Sequence, residues 1–304
     1  MMISMKSNLS GVLNICKPAG MTSHDVVAIV RKTLGLKRVG HTGTLDPDAV
    51  GVLPVCVGNS TRIAEYITEN RKKYRTLIRF GYQTTTQDAS GEVINRTELP
   101  KIDFSGFQDF LNFEFLGTQY QIPPMYSAIK FNGRPLYKLA REGKEIELQK
   151  RKIEIYSLNV INFFGQTAMI DIECSKGTYI RTLCNDIGKK LDSSAYMSYL
   201  VRTKVGKFDL YSSVSLEKLR AEKEKIIIPP AEALEGFNSL LINQEQLIKK
   251  ILNGNSLSEA IVNTKIEERL YKIIDNDNNL LAIGMGQNGM LKIVKVLGGH
   301  NENI

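Results

Sequence analysis

Apolar positions along the chain recur at two spacings, and the spacing determines which element each stretch predicts. Residues 11–17, GVLNICK, are mostly apolar and read as a short buried strand that ends at the Pro18-Ala19-Gly20 turn. Val26, Val27, Val30 and Leu34 then recur at helical spacing behind Thr22 and Ser23, either of which can cap a helix. Residues 51–58, GVLPVCVG, predict a second buried strand, and STRIAEYI (60–67) predicts a helix. From residue 72 to 84, Tyr74, Thr76, Ile78 and Phe80 alternate with Arg75, Leu77 and Arg79, the period of two expected of a strand with one buried face. AMIDIECS (168–175) alternates in the same way and runs into KGTYIRTLCNDIGKKL, where Ile180, Leu183, Ile187 and Leu191 form one helical apolar face. Tyr179 and Arg181 fall on the first turn of that helix, at a strand-to-helix junction of the kind that opens onto a cleft.

The paired prolines of IIIPPAEALEGFNSLL mark a boundary. From about residue 243 the pattern becomes one short helix, QEQLIKKIL, followed by short strands. Turns at Asn253-Gly254, Asp275–Asn279 and Gln287–Gly289 separate them, so this region predicts a compact, mostly β unit. Strands and helices mingle before the boundary, which predicts a mixed α/β domain there.

Charge adds a partner class. The 304 residues carry 40 Lys+Arg against 32 Asp+Glu, a formal net charge of +8, which favours nucleic acid first and an anionic membrane surface second. A basic, solvated surface fits net charge equally well. Between residues 119 and 152, however, Lys130, Arg134, Lys138, Arg141, Lys144, Lys150, Arg151 and Lys152 are interleaved with Tyr120, Tyr126, Phe131 and Tyr137. Such a stretch can clamp phosphates while offering rings for bases to stack on, although a solvated amphipathic hairpin has the same composition. No apolar run approaches the roughly 18 residues of a membrane span and the N-terminus lacks a signal-peptide core, so a cytoplasmic protein is expected. The four cysteines form no C-x-x-C pair, and three scattered histidines do not suggest a zinc centre.

Candidate chemistry concentrates in RVGHTGTLDPDAVGVLPVCVG, residues 38–58. Four glycines and Pro47 make a tight turn that presents Asp46 and Asp48 just before a buried strand. A D-x-D-x-V phosphatase or a metal-binding D-x-D would use both carboxylates, but the phosphatase pattern wants a hydrophobic strand directly before the first Asp and GHTGTL stands there instead. No phosphate-binding G-x-x-x-x-G-K-[ST] and no strand-linked G-x-G-x-x-G occurs. An aspartate in such a turn can equally be a turn cap. His41, between glycines beside the aspartate, is a further candidate.

Taken in order, GVLNICKPAGMTSHDVV, VGHTGTLDPDAVGVLPVCVG, KKYRTLIRFG, QIPPMYSAIKFNGRPLYKLAREG, CSKGTYIRTLCNDIG and YLVRTKVGKF resemble the TruB family of bacterial tRNA pseudouridine-55 synthases over residues 11–210. The region containing LNGNSL and NNLLAIGMGQNGMLKIVKVL resembles a PUA-type RNA-binding module. The resemblance implies an α+β catalytic domain over 1–236 with a largely antiparallel central sheet, an RNA-gripping segment at 120–152, and a PUA-like domain over 243–304. It implies isomerisation of the T-loop uridine at position 55 of tRNA by base flipping, without cofactor or metal. The tRNA T arm would be the partner, and the protein a monomer with no obligate protein partner. By resemblance Asp46 is the nucleophile and base. Arg181 pairs with it and keeps it ionised. Tyr74 stacks on the base and is a candidate for proton transfer, Tyr179 and Leu200 line the pocket, and His41 enters the T loop. Lys17, Lys130, Lys138, Arg141 and Arg202 are candidate RNA contacts, Lys17 with a structural role first. Three positions depart from the family pattern: Asp48 replaces a common apolar residue, Val201 a common arginine, and LKIVKVL lacks a common proline. Two rival readings keep other chemistry open, a non-catalytic RNA chaperone and a metal-dependent phosphatase using Asp46 and Asp48.

Overall fold

In the computed structural model, residues 9–144, 146–234 and 236–298 are described. The outer ends of the two predicted domains, residues 1–8 and 299–304, therefore lie outside the described residues, as do Glu145 and His300. The chain opens with β1 (Gly11–Lys17) and α1 (Ser23–Leu34). Of the two candidate caps, Thr22 is used. Asp25 N donates to Thr22 Oγ1 at 3.1 Å and Thr22 N donates back to Asp25 Oδ2 at 2.9 Å, a complete capping box. Ser23 turns inward instead and accepts from Leu45 N at 2.9 Å, tying the helix start to the aspartate turn.

That turn lies between β2 (Val39–His41) and β3 (Val50–Val57). A 3-10 turn at Gly58–Ile63 and the short α2 (Ala64–Thr68) follow, so the helix predicted at 60–67 is α-helical only in its second half. Next come β4 (Lys72–Phe80), β5 (Tyr82–Thr84), β6 (Val93–Arg96), α3 (Phe104–Phe115) and β7 (Gly117–Gln121). The basic segment contributes a small hairpin of β8 (Lys130–Phe131) and β9 (Arg134–Pro135), then α4 (Leu136–Arg141). The first region closes with β10 (Arg151–Phe163), β11 (Thr167–Cys174), α5 (Ile180–Lys190), β12 (Ala195–Val205), β13 (Phe208–Asp209), α6 (Leu216–Glu222) and α7 (Pro230–Ala233).

The main sheet has the order β1-β3-β12-β4-β11-β10-β7, with β2 also on β3 and β13 on β12. Its pairings among the described residues are antiparallel except β3–β12, which is parallel. The predicted alternation on β4 holds: Tyr74, Thr76, Ile78 and Phe80 are buried, and the arginines between them face out. Helices α3 and α5 cover that buried face, and α1 and α6 cover β1 and β3. Strand β12, at the centre of the sheet, was not evident in the hydrophobic pattern, and the register explains why. Shifts at Met197/Tyr199 and at Arg202/Lys204 switch which parity faces inward: Ala195 and Met197 are buried, then Leu200 and Arg202, then Val205. A doubly bulged strand shows no period of two.

A second sheet, in the order β14-β16-β17-β18-β15, comprises β14 (Asn238–Leu241), β15 (Leu257–Ser258), β16 (Leu270–Ile274), β17 (Leu280–Gln287) and β18 (Met290–Val296). Helices α8 (Glu245–Leu252) and α9 (Glu259–Val262) accompany it. This unit thus begins at Asn238, ahead of the expected residue 243, because β14 pairs in parallel with β16. Leu280 and Ile283 pack on Ile63, Ala231 and Leu234, joining the two units through apolar contact. No helix among the described residues is long and apolar enough to cross a membrane.

Phe107 on α3 is fully buried, stacked on Phe163 at 4.9 Å and edge-on to Phe80 at 5.9 Å. Phe107→Ala is expected to lower unfolding free energy by about 3–5 kcal/mol in urea titration followed by circular dichroism. A loss below about 1 kcal/mol would mean that α3 does not close this core.

Candidate active site

The turn between β2 and β3 has its shape for a steric reason. Gly51 adopts φ +109°, and a Cβ there would lie 2.3 Å from the carbonyl oxygen of Arg202 on the neighbouring strand. With the strands this close, Ala49 N closes onto Asp46 O at 3.1 Å, and the Asp46 side chain is left 35% exposed. Arg181, on the first turn of α5 and itself buried, grips it as a fork: Nε reaches Oδ2 at 2.9 Å and Nη2 reaches Oδ1 at 3.2 Å.

The guanidinium is held from behind. Nη2 donates to Tyr126 O at 2.9 Å and Nη1 to Thr86 O at 3.3 Å, while Asp88 Oδ2 lies 3.6 Å from Nη1. Asp88 is a site residue that the sequence reading missed. In TTTQDASG it looks like one more turn former, and no spacing rule ties it to Arg181. Asp88 Oδ1 accepts from Thr86 Oγ1, Ser90 N and Ser90 Oγ at 2.5, 3.0 and 2.6 Å. Gln87 beside it sits at φ +62° and is pinned by Thr182 Oγ1, which donates to its Oε1 at 3.0 Å, and by Met197 N, which donates to its carbonyl at 3.0 Å.

Electrostatics at Asp46 run against the simple expectation for an arginine-paired carboxylate. Burial pushes its pKa up, Arg181 pulls it down, Asp88 pushes it up again and Lys17 opposes; the net direction is upward. Arg181 therefore offsets a desolvation cost and does not drive the carboxyl below its ordinary range.

Tyr74 and Leu200 lie in the same apolar cluster as Leu45 and Ala49, which flank Asp46 in the turn, and as Ile172 and Ile180. Burial raises the Tyr74 phenol to about 12, so it is neutral at physiological pH. Tyr179 is half-buried at the start of α5. Its N donates to Gln121 Oε1 at 2.8 Å and its carbonyl accepts from Gln121 Nε2 at 3.0 Å, so β7 and α5 are laced together beside the cleft. His41 is half-buried, edge-on to exposed His24 at 5.3 Å, with Nδ1 accepting from Gly43 N at 3.3 Å. Burial first, then the charges of His24 and Arg202, lower its pKa to about 4, which leaves a neutral ring.

Lys130, Lys138 and Arg141 are exposed on the β8–β9 hairpin and α4, with the Arg141 guanidinium 5.8 Å from the Tyr137 ring centre. Phe131, Asn132, Arg134, Leu139, Lys144 and Ile146 line a crevice of about 430 Å³ in the same segment. Lys17 and Arg202, expected among the RNA contacts, require correction. Both are buried, and their donors are bonded to backbone carbonyls. Lys17 Nζ donates to Pro18 O, Met21 O and Pro47 O at 2.8, 2.5 and 2.8 Å, and burial lowers its pKa to about 8. Arg202 donates to the carbonyls of Gly43, Thr44 and Val52. A basic residue type in a sequence does not reveal that its charge is turned inward. Among the described residues, no three His, Cys, Asp or Glu side chains gather as ligands for a metal.

Comparison with known proteins shows the family. The family profile described as TruB family pseudouridylate synthase (N terminal domain) matches residues 31–180, and that described as tRNA pseudouridylate synthase B C-terminal domain matches residues 181–235. The chain belongs to the TruB family of pseudouridylate synthases. It is 45% identical to tRNA pseudouridine synthase B of Clostridium kluyveri over 292 residues, covering 95% of this chain and 99% of that protein. It is 49% identical to the enzyme of the same name from Symbiobacterium thermophilum over 231 residues, 75% of this chain and 77% of that one. Among solved structures it resembles a chain of a Cbf5-Nop10-Gar1 complex, with TM-score 0.74 and 25% identity over 98% of this chain and 88% of the other. A second similar chain comes from an H/ACA RNP bound to a substrate RNA containing 2′-deoxyuridine, with TM-score 0.73 and 23% identity over 99% of this chain and 89% of that one. These two likenesses show a shared fold.

For this pseudouridylate synthase the raised Asp46 pKa has a consequence for pH. Any activity that requires ionised Asp46 would fall as pH drops through that raised pKa, so its acid limb would lie higher than for a free aspartate. Asp88 contributes to the rise, and Asp88→Asn is expected to move the limb of kcat/KM to lower pH. An unmoved limb would show that its charge is not felt at Asp46.

Proposed function

We propose that the protein isomerises the uridine at position 55 in the T loop of tRNA to pseudouridine, acting as a cytoplasmic monomer with tRNA as its substrate and partner. The observation that carries this reading is the Asp46 carboxylate, forked by Arg181 and only partly withdrawn from water, beside the apolar cluster that holds Leu45, Ala49, Tyr74 and Leu200, in a chain of this family. The reaction breaks the bond from C1′ to N1, turns the base and joins C1′ to C5. The C5 proton leaves and N1 gains one, so the reaction is redox-neutral and needs no nicotinamide or nucleotide. It does need a nucleophilic carboxylate beside a base taken out of its stack. Asp46 fills that role by adding to C6 or by assisting departure of the base at C1′.

Each neighbour then has a task its environment suits. Tyr74 and Leu200 offer the flipped base a dry face, and Tyr179 lines the entrance. Tyr74 is a neutral phenol, a donor rather than a ready base. A neutral His41 ring can enter an RNA loop without bringing charge. Lys130, Lys138 and Arg141 are free in solvent to meet phosphates. The five-stranded C-terminal sheet supports reading the region after residue 238 as a PUA-like RNA-binding module.

The first test incubates purified protein in EDTA with an unmodified tRNA transcript carrying tritium at C5 of uridine. Wild type should release tritium from the T-loop uridine, and Asp46→Asn should not. Tight tRNA binding without release would favour an RNA-folding chaperone. Return of activity only on adding Mg²⁺ would favour a metal-dependent enzyme.

Binding should also weaken steeply with salt, because phosphate contacts release counterions. Replacing Lys130, Lys138 and Arg141 together by alanine should lower the log–log salt slope by roughly 2–3 and raise KM far more than it lowers kcat. Equal affinity of wild type in low and high salt would contradict this.

A further inference from the structure

Arg202 stands at the middle of β12 with 1% of its surface exposed. Among the described residues no carboxylate lies within 4.0 Å of its guanidinium. Burying a charge without a counter-ion is costly, and an apolar side chain of similar volume would fill the space at lower cost. What the charge holds explains its presence. Nε donates to Val52 O at 2.7 Å, Nη1 to Thr44 O at 3.3 Å and Nη2 to Gly43 O at 3.0 Å. Those carbonyls stand on either side of Asp46, so one planar group clamps both limbs of its turn. The turn is shaped to admit this clamp. Gly51 leaves room for the Arg202 backbone, where a Cβ would stand 2.3 Å from its carbonyl oxygen.

The residue also neighbours a second candidate site residue. Arg202 is the register partner of Tyr74 on β4, so the strand that carries Tyr74 and the turn that carries Asp46 meet at one residue. Lysine could keep the charge, but its single ammonium cannot reproduce a fork spread over three carbonyls.

We propose that Arg202 is a positioning residue for the isomerisation: by clamping the Asp46 turn beside the strand that carries Tyr74, it sets the separation of Asp46 from Tyr74. This rests on the uridine-isomerase reading above. Arg202 acts through the turn it clamps and the strand it pairs with.

The test uses the full chain, with Arg202→Lys as the variant that retains the buried charge, together with Tyr74→Phe and the double variant. Melting temperature, tRNA affinity and single-turnover tritium release at saturating tRNA are compared. Arg202→Lys is expected to bind tRNA within about threefold of wild type while its single-turnover rate falls roughly 100-fold, as expected for misplaced reacting groups. The double variant should lose little beyond the worse single variant, because both changes disturb the same Asp46–Tyr74 arrangement. A wild-type rate in Arg202→Lys would overturn the proposal. So would a loss confined to affinity or melting temperature, or a double-variant loss equal to the product of the two single losses. Absence of turnover in wild type would instead overturn the isomerase reading, which the same assay reports separately.

Discussion

The fork between Arg181 and Asp46 is the contact on which the rest of the catalytic region depends. A carboxylate partly withdrawn from water would move toward its neutral form unless a cation stays beside it, and a buried guanidinium needs its remaining donors satisfied. The fold meets both demands with distant segments. The loop between β5 and β6 brings Thr86 O and Asp88, the basic segment brings Tyr126 O, and Gln121 on β7 holds the start of α5 at Tyr179. The left-handed conformation of Gln87 belongs to the same arrangement, since it turns Thr86 and Asp88 toward one guanidinium.

Buried cations on backbone carbonyls are the second theme. Lys17 anchors Pro47 O immediately after Asp46, and Arg202 anchors Gly43 O and Thr44 O just before it. The aspartate turn is therefore fixed by charge–dipole contacts as well as by the apolar packing of Leu45 and Ala49. The opposing influences on Asp46 sum to an upward shift, so its cleft favours a carboxylate that is paired yet not over-stabilised. Such a group retains nucleophilicity, whereas a carboxylate driven far below its ordinary range would give it up.

The exposed basic surface is a separate matter from this interior. Lys130, Lys138 and Arg141 stand on a hairpin and short helix that leave the main sheet after β7 and return at β10. An exposed basic surface and the exact placement of one carboxylate thus fall to different parts of the chain, the first solvated and the second held by hydrogen bonds.

Local pattern was sufficient for much of this. The alternation on β4 and β11, the apolar stripes of α1 and α5, the glycine-rich aspartate turn, the basic-aromatic segment and the change of character toward the C-terminus all lie in short-range sequence, because side-chain periodicity and turn chemistry are local properties. Strand β12 was hidden because its two bulges break the period, and β14 because its parallel partner lies about thirty residues later in the chain. Asp88 could not be connected with Arg181 from spacing, since a long stretch of chain separates them and no rule joins them, while the 3.6 Å approach of their side chains does so directly. Lys17 and Arg202 were legible as basic residues but not as buried ones. The sequence by itself determined which side chains were available and the elements that carry them. Only the tertiary structure decided which charges meet water and which meet carbonyls, because burial depends on everything packed around a residue and on nothing in its immediate neighbours.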